Sequence, residues 1–269
     1  MGLGGHLMWT PVVKALHEKH GVKVYLENNE GEGLIWKKNP YITLNRTRDA
    51  YALDIKEVSY AVSSSKHTGI SQFIEYNGHI INHYLEHFEL PALEDLKCEL
   101  FFDGDEEKNI DQLVSDLSDN FIVIEPNSKL SYTPNRQYPI PKWQEVVNKI
   151  FNDVQVVQTG IGGPVLKNVT NLTGKTTFRA NVLLIKYAKA FISSEGGLVH
   201  GATCVDTPSV VPINSYIPQT LVRYPQNTYI SSSSHSPCGS YKECQRCLKE
   251  MNSITPESII EAVKEILNK

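Results

Sequence analysis

The residues with the clearest chemical content are Ser193-Ser194-Glu195-Gly196-Gly197-Leu198-Val199-His200-Gly201-Ala202. Paired glycines let a ligand approach the backbone, the Glu195 carboxylate can accept hydrogen bonds from sugar hydroxyls, and His200 falls within one turn of a helix start. Together they suit a sugar joined to a diphosphate. A lone helical histidine is more often a packing residue, and it is the Glu-Gly-Gly ahead of this one that turns the reading toward a ligand. A second glycine cluster, Gly2-Leu3-Gly4-Gly5, precedes His6. As a turn before a helix it would offer N–H groups to a phosphate or an acceptor hydroxyl, or serve only as a tight turn. His6, with an ordinary pKa of about 6.5, suits a general base at neutral pH, or is a histidine beside an exposed loop. A third cluster, Cys238-x5-Cys244-x2-Cys247 with His235 just before it, carries donors for tetrahedral zinc or iron, against the alternative of reduced thiols. Cys98 and Cys204 stand in apolar contexts and read as core.

These residues need elements to hold them. Thr10 is a good N-cap and Pro11 suits a first helical position, so a helix is expected from there to Lys19-His20-Gly21, with Val22, Val24 and Leu26 forming a strand. No strand precedes the opening glycines, so the first strand of the sheet is expected to be missing. Residues 79–88 read as a helix and the acidic segment 103–120 as a linker. The second half alternates again: strand 121–124, a helix opened by Pro141 with Trp143, Val146, Val147 and Ile150 on one face, strand 154–157, helix 178–190, strand 191–193, short helix 197–205 and strand 208–213. Pro256 opens a closing amphipathic helix with Ile259, Val263 and Leu267. Such alternation specifies an α/β fold with parallel sheets, here two Rossmann-like domains facing a central cleft. The expected boundaries are 1–117, 118–254 and the closing helix 255–269.

The chain has 269 residues, 41% of them hydrophobic, and a net charge of −4. A chain of this size buries enough surface to hold a core without disulfides. Balanced charge argues against a nucleic-acid partner. The longest apolar runs, as around Val182 to Ile185, fall short of the roughly 18 residues of a spanning helix. With no secretory signal, the expected location is the cytoplasm, peripheral membrane contact remaining compatible.

The motifs Glu195-Gly-Gly-x-x-His200-x-Ala202, Gly2-x-Gly-Gly5, Glu125-Pro-Asn127, and Asn135-Arg136-x-Tyr138-Pro139 with Trp143 stand in the order found in the family 9 glycosyltransferases. Adding Cys238, Cys244 and Cys247 ahead of Ile254-Thr-Pro-Glu257, nearly the whole chain resembles that family, which includes the ADP-heptose:lipopolysaccharide heptosyltransferases. The resemblance implies a GT-B fold, with a nucleotide-sugar donor on the C-terminal domain and an acceptor on the N-terminal one. It also implies inversion at the anomeric carbon without a metal. By position, Glu195 matches the residue that contacts the donor sugar, and Gly196, Gly197 and His200 match the turn at the diphosphate. Arg136 stands where the family has a Lys near the phosphates, and Lys129 is a second candidate cation. Gly4 and Gly5 match the acceptor-side loop, but Gly5 replaces an Asp taken as the general base. That leaves His6, with Arg136, as the expected catalytic pair.

The implied activity is transfer of heptose or a similar sugar from a nucleotide sugar, an ADP-sugar being favoured, to a glycan or lipopolysaccharide-type acceptor. No cofactor is expected for catalysis, with structural zinc or iron an option at the three cysteines. The alternatives are a non-catalytic or truncated relative acting as a binding or assembly partner, and a nucleotide-sugar epimerase.

Overall fold

The computed structural model describes residues 2–27, 32–55, 78–232 and 237–269. The first half contains α1 (Leu3–His20), β1 (Val24–Glu27), a π-helical turn (Glu32–Trp36), β2 (Ile42–Thr43) and β3 (Tyr51–Asp54), followed by α2 (Ile80–His87) and α3 (Gly104–Ser115). Its strands pair in parallel in the order β2-β1-β3.

Two expectations fail here, each for a local reason. The first helix begins at Leu3 and not at Thr10, so the glycines form its first turn rather than a loop, and Pro11 lies in its interior. A proline there leaves the carbonyl four residues back without a donor. The Thr10 hydroxyl supplies one, donating to the Leu7 carbonyl at 2.7 Å. Segment 103–120 is not a linker either, because most of it is α3. Asp103 accepts from the Glu106 amide while the Glu106 carboxylate accepts from the Asp103 amide, a reciprocal cap, and the acidic first turn complements the helix dipole.

The second half contains β4 (Phe121–Glu125), α4 (Ile140–Ile150), β5 (Gln155–Gln158), β6 (Thr170–Asn171), α5 (Phe178–Tyr187), β7 (Phe191–Ser193), α6 (Gly197–Thr203), β8 (Ser209–Pro212), β9 (Thr228–Ile230), α7 (Gln245–Ser253) and α8 (Pro256–Leu267). Its six strands are all parallel, in the order β6-β5-β4-β7-β8-β9. Both faces of this sheet are buried, as the unbroken apolar run of β4 requires. Phe121 and Val123 join the cluster containing Leu7 of α1, Val182 of α5 and Val199 of α6. Ile122 and Ile124 join Trp143 and Val146 of α4 and Ile259 and Val263 of α8.

The two halves are tied by Arg179 of α5, which is 3% exposed. Its guanidinium donates to both carboxylate oxygens of Glu106 in α3 and to the carbonyls of Leu34 and Phe101. Among the described residues, no helix is long and apolar enough to cross a membrane.

Candidate functional site

The chain runs outward from β4 through β5 to β6, then returns to build β7, β8 and β9 on the other side. The order therefore reverses between β4 and β7, and in open parallel sheets such a switch point opens a crevice beyond the carboxyl ends of the two strands. Glu125 and Ser193 pair in register at those ends. The turn leaving β7 carries Ser194, Glu195, Gly196 and Gly197 into α6. The loop leaving β4 carries Lys129 and then a 3₁₀ turn, Pro134–Arg136.

Glu195 and Arg136 meet in an ion pair, and Glu195 Oε1 lies 3.4 Å from His200 Nε2. Burial alone would raise the Glu195 carboxyl, but the Arg136 charge and the hydrogen bond and charge of His200 outweigh it, holding it at about 2. His200 is fixed from its other nitrogen, Nδ1 lying 2.6 Å from the Tyr224 hydroxyl. That hydroxyl also lies 3.4 Å from Cys98 Sγ. Arg136 stacks over the Tyr132 ring, 4.8 Å from its centre. The sequence motifs thus bring Arg136, Glu195 and His200 together. Both Glu195 and His200 are closed off by these partners, at 6% and 3% exposure.

The turn carrying Arg136 is anchored by its buried neighbour Asn135, whose amide donates to the carbonyls of Ser240 and Lys242 and whose carbonyl oxygen accepts from the Cys244 amide. That segment holds the cysteines. The thiols of Cys238, Cys244 and Cys247 lie within 4.8 Å of one another, with 3.1 Å between Cys238 and Cys247. Burial opposes ionisation of Cys244, but amide and thiol hydrogen bonds at the start of α7 bring its pKa below the ordinary thiol value. Three soft donors converging within 4.8 Å of one another, one of them with its pKa lowered, form a set that fits zinc or iron. His235 lies outside the described residues. Cys98 is core as expected, its thiol pushed up to about 12 by burial, and Cys204 is half-buried.

The remaining sequence candidates are placed as follows. Lys129 is exposed, and its ammonium makes no hydrogen bond or ion pair among the described residues. Gly4 faces α6: a Cβ there would stand 2.6 Å from His200 Cδ2 and 3.3 Å from the Gly197 Cα, so the close approach of α1 to α6 requires glycine. Gly5 is half-buried in the same turn. His6 is 3% exposed inside α1, its Nδ1–H donating to the Gly2 carbonyl at 3.0 Å, and does not lie beside an exposed loop.

Sequence reasoning missed three features of this region. Tyr224 carried no motif. Gly160-Ile-Gly-Gly163, following β5, was a visible glycine run, and Gly160 and Gly163 take φ of 121° and 96°. Glu125 was read only as part of a motif. Its carboxyl lies against Gly160, burial pushes it up to about 8, and it has no hydrogen-bond or ion-pair partner among the described residues.

Residues 59–254 match the family model for glycosyltransferase family 9 (heptosyltransferase). No curated protein matches the chain. Among solved structures, the iron-containing dodecameric glycosyltransferase TibC from enterotoxigenic E. coli is 14% identical with a TM-score of 0.72, covering 100% of this chain and 74% of that one. TibC has also been solved in complex with ADP-D-beta-D-heptose. A family 9 glycosyl transferase from Veillonella parvula is 13% identical with a TM-score of 0.68, covering 99% of this chain and 95% of that one. The ADP-heptose lps heptosyltransferase II of E. coli is 17% identical with a TM-score of 0.54, covering 71% of this chain but only 62% of its own length. At such identities these likenesses show the fold, an α/β arrangement of parallel sheets of the GT-B type.

Proposed function

The chain belongs to glycosyltransferase family 9, and from that premise we propose that it is an inverting transferase moving heptose or a similar sugar from a nucleotide-sugar donor to a glycan or lipopolysaccharide-type acceptor. The observation that carries this reading is the Arg136–Glu195–His200 cluster at the switch point of the six-stranded sheet. The proposal assigns the donor to residues 118–254 and the acceptor to residues 1–117, with an ADP-sugar favoured because TibC is solved with one.

In this reading the donor diphosphate lies across Gly196 and Gly197. Negative charge grows on it as the bond to the anomeric carbon breaks and the electron pair leaves with the phosphate oxygen. Arg136, positioned by Asn135 and Tyr132, neutralises part of that charge, with Lys129 as a second, exposed cation. Preorganised cations of this kind make metal-independent chemistry sufficient. Glu195, paired with both, orients Arg136 and His200 toward the donor. The acceptor oxygen attacks the face opposite the departing diphosphate, which inverts the centre. Its proton passes to His6, whose ring is oriented by the hydrogen bond from Nδ1 to the Gly2 carbonyl. The acceptor must reach it past the first turn of α1.

TibC is iron-containing, and the proposal gives Cys238, Cys244 and Cys247 a structural zinc or iron ion. Bound there, the ion supplies a cross-link and no chemistry, bracing the segment on which Asn135 hangs.

A second reading, a non-catalytic binding member of the family, draws on Gly5 at the position of the family's acidic residue and on the closure of Glu195 and His200. Thermal melting of the purified chain with ADP, GDP, UDP, CDP and their sugar conjugates tests donor binding. One nucleotide should raise the melting temperature in a concentration-dependent manner, an effect lost in His200→Ala and Glu195→Ala. Failure of every nucleotide to shift a folded chain contradicts the donor reading.

A further inference from the structure

Glu125 is the last residue of β4, at the switch point, and nothing in the reading above uses it. In the strand it shares the parity of Phe121 and Val123, the face that packs toward α1, α5 and α6. The Glu125 carboxyl lies against Gly160, where a Cβ would come within 3.3 Å of Oε1. On the next residue but one, Asn127 donates to the Pro164 carbonyl at 3.2 Å, and a Cβ on Gly163 would come within 2.5 Å of its amide carbon. The glycine loop is therefore drawn over the end of β4 and leaves backbone, with no side chain, beside the carboxyl.

We propose that Glu125 binds the nucleotide-sugar donor in its protonated form, donating a hydrogen bond to a donor oxygen, so that donor binding takes up a proton at alkaline pH. This inference rests on the donor reading above. The other carboxylate at this end of the sheet, Glu195, has Arg136 and His200, whereas among the described residues Glu125 has neither cation nor donor, and a crevice that receives a diphosphate is poor surroundings for a second bare negative charge. The charged groups on the neighbouring elements are already engaged or remote in chemistry. Glu195 beyond β7 is tied to Arg136 and to His200 of α6, and Arg179 of α5 is held by Glu106. Lys129 stands exposed on the loop after β4. His6 of α1 is bonded to Gly2. Residues 155–164, covering β5 and the glycine loop, contain no ionisable side chain. Burial pushes Glu125 up to about 8, so at neutral pH the proton is in place. A bound diphosphate would raise it further.

The test is calorimetric titration of the full chain with ADP, GDP, UDP and CDP at pH 7 and pH 9, each in two buffers of different ionisation enthalpy. For the nucleotide that binds, affinity should fall about tenfold from pH 7 to pH 9, the fraction of protonated Glu125 falling by that factor. Close to one proton should be taken up per site at pH 9. In Glu125→Gln, which keeps a donor at that position, binding should persist, lose its pH dependence and take up no proton. Glu125→Ala should bind more weakly at pH 7. Nucleotide binding by the native chain without proton uptake overturns this inference alone. A folded native chain that binds none of the four at pH 7 overturns the donor reading and this inference with it.

Discussion

Two carboxylates at the same crevice end in opposite states because their neighbours differ. Glu195 and Glu125 both lose water, which by itself raises a carboxyl; Arg136 and His200 reverse that for Glu195, and no group among the described residues reverses it for Glu125. The consequence for Glu195 has a definite sign. With a folded value of about 2 against 4.5 ordinarily, the unfolded chain binds more protons in that window, so the stabilisation is present above about pH 4.5 and is lost as pH falls toward 2. Glu195→Gln breaks a buried pair and should destabilise the chain at pH 7 by about 3–5 kcal/mol. Melting curves from pH 7 down to pH 2.5 should show the gap between native and variant closing, and a gap constant with pH would contradict the ion pair. At this scale the sequence was legible wherever a motif gathered the residues, as with Glu195, Gly196, Gly197, His200 and Arg136. It was silent on Tyr224, which reaches His200 only through folding, and it placed His6 at the loop ahead of a helix starting at Thr10, where the structure has it inside α1.

The elements were legible where burial dictates composition. The unbroken apolar run of β4, the stripe Trp143, Val146, Val147 and Ile150 of α4, and Pro256 at the start of α8 all appear as read. The errors came at ends, where one residue can satisfy two grammars. Thr10-Pro11 has the look of a helix start, yet the same hydroxyl that would cap one repairs the bond that Pro11 removes. The acidic run after Asp103 reads as solvated loop, yet Asp103 and Glu106 hold the spacing of a reciprocal cap, and Glu106 also receives Arg179. The cysteine segment belongs to this scale as well, since through Asn135 it braces the turn that carries Arg136. Elemental analysis of purified protein should find about one equivalent of zinc or iron per chain, absent from Cys244→Ser, which should also bind donor nucleotide less well. Protein free of both metals would contradict the structural ion.

For the whole molecule, strand order matters more than any one contact. Placing β4 and β7 side by side, with β5 and β6 on one flank and β8 and β9 on the other, gathers two loops distant in sequence over a single crevice. Alternation of strands and helices made the parallel α/β class legible, and the order of the motifs made the family legible. What no pattern could give was depth. The first turn of α1 lies on α6 closely enough to exclude a side chain at Gly4, which places a glycine cluster expected at a loop into a helix contact. The central claim is that the switch-point crevice binds a nucleotide diphosphate, and Gly196→Asp tests it most directly. Gly196 is the N-cap of α6 in extended backbone, with no atom nearer than 3.7 Å to an added Cβ, so aspartate is well tolerated there and a good cap. It would nevertheless put a negative charge where the diphosphate must lie. Calorimetric titration with the nucleotide that stabilises the native chain should show binding to native protein and at least a tenfold loss in Gly196→Asp, with the melting temperature of the free variant unchanged or raised. Equal affinity in the two proteins would contradict a donor site at this crevice.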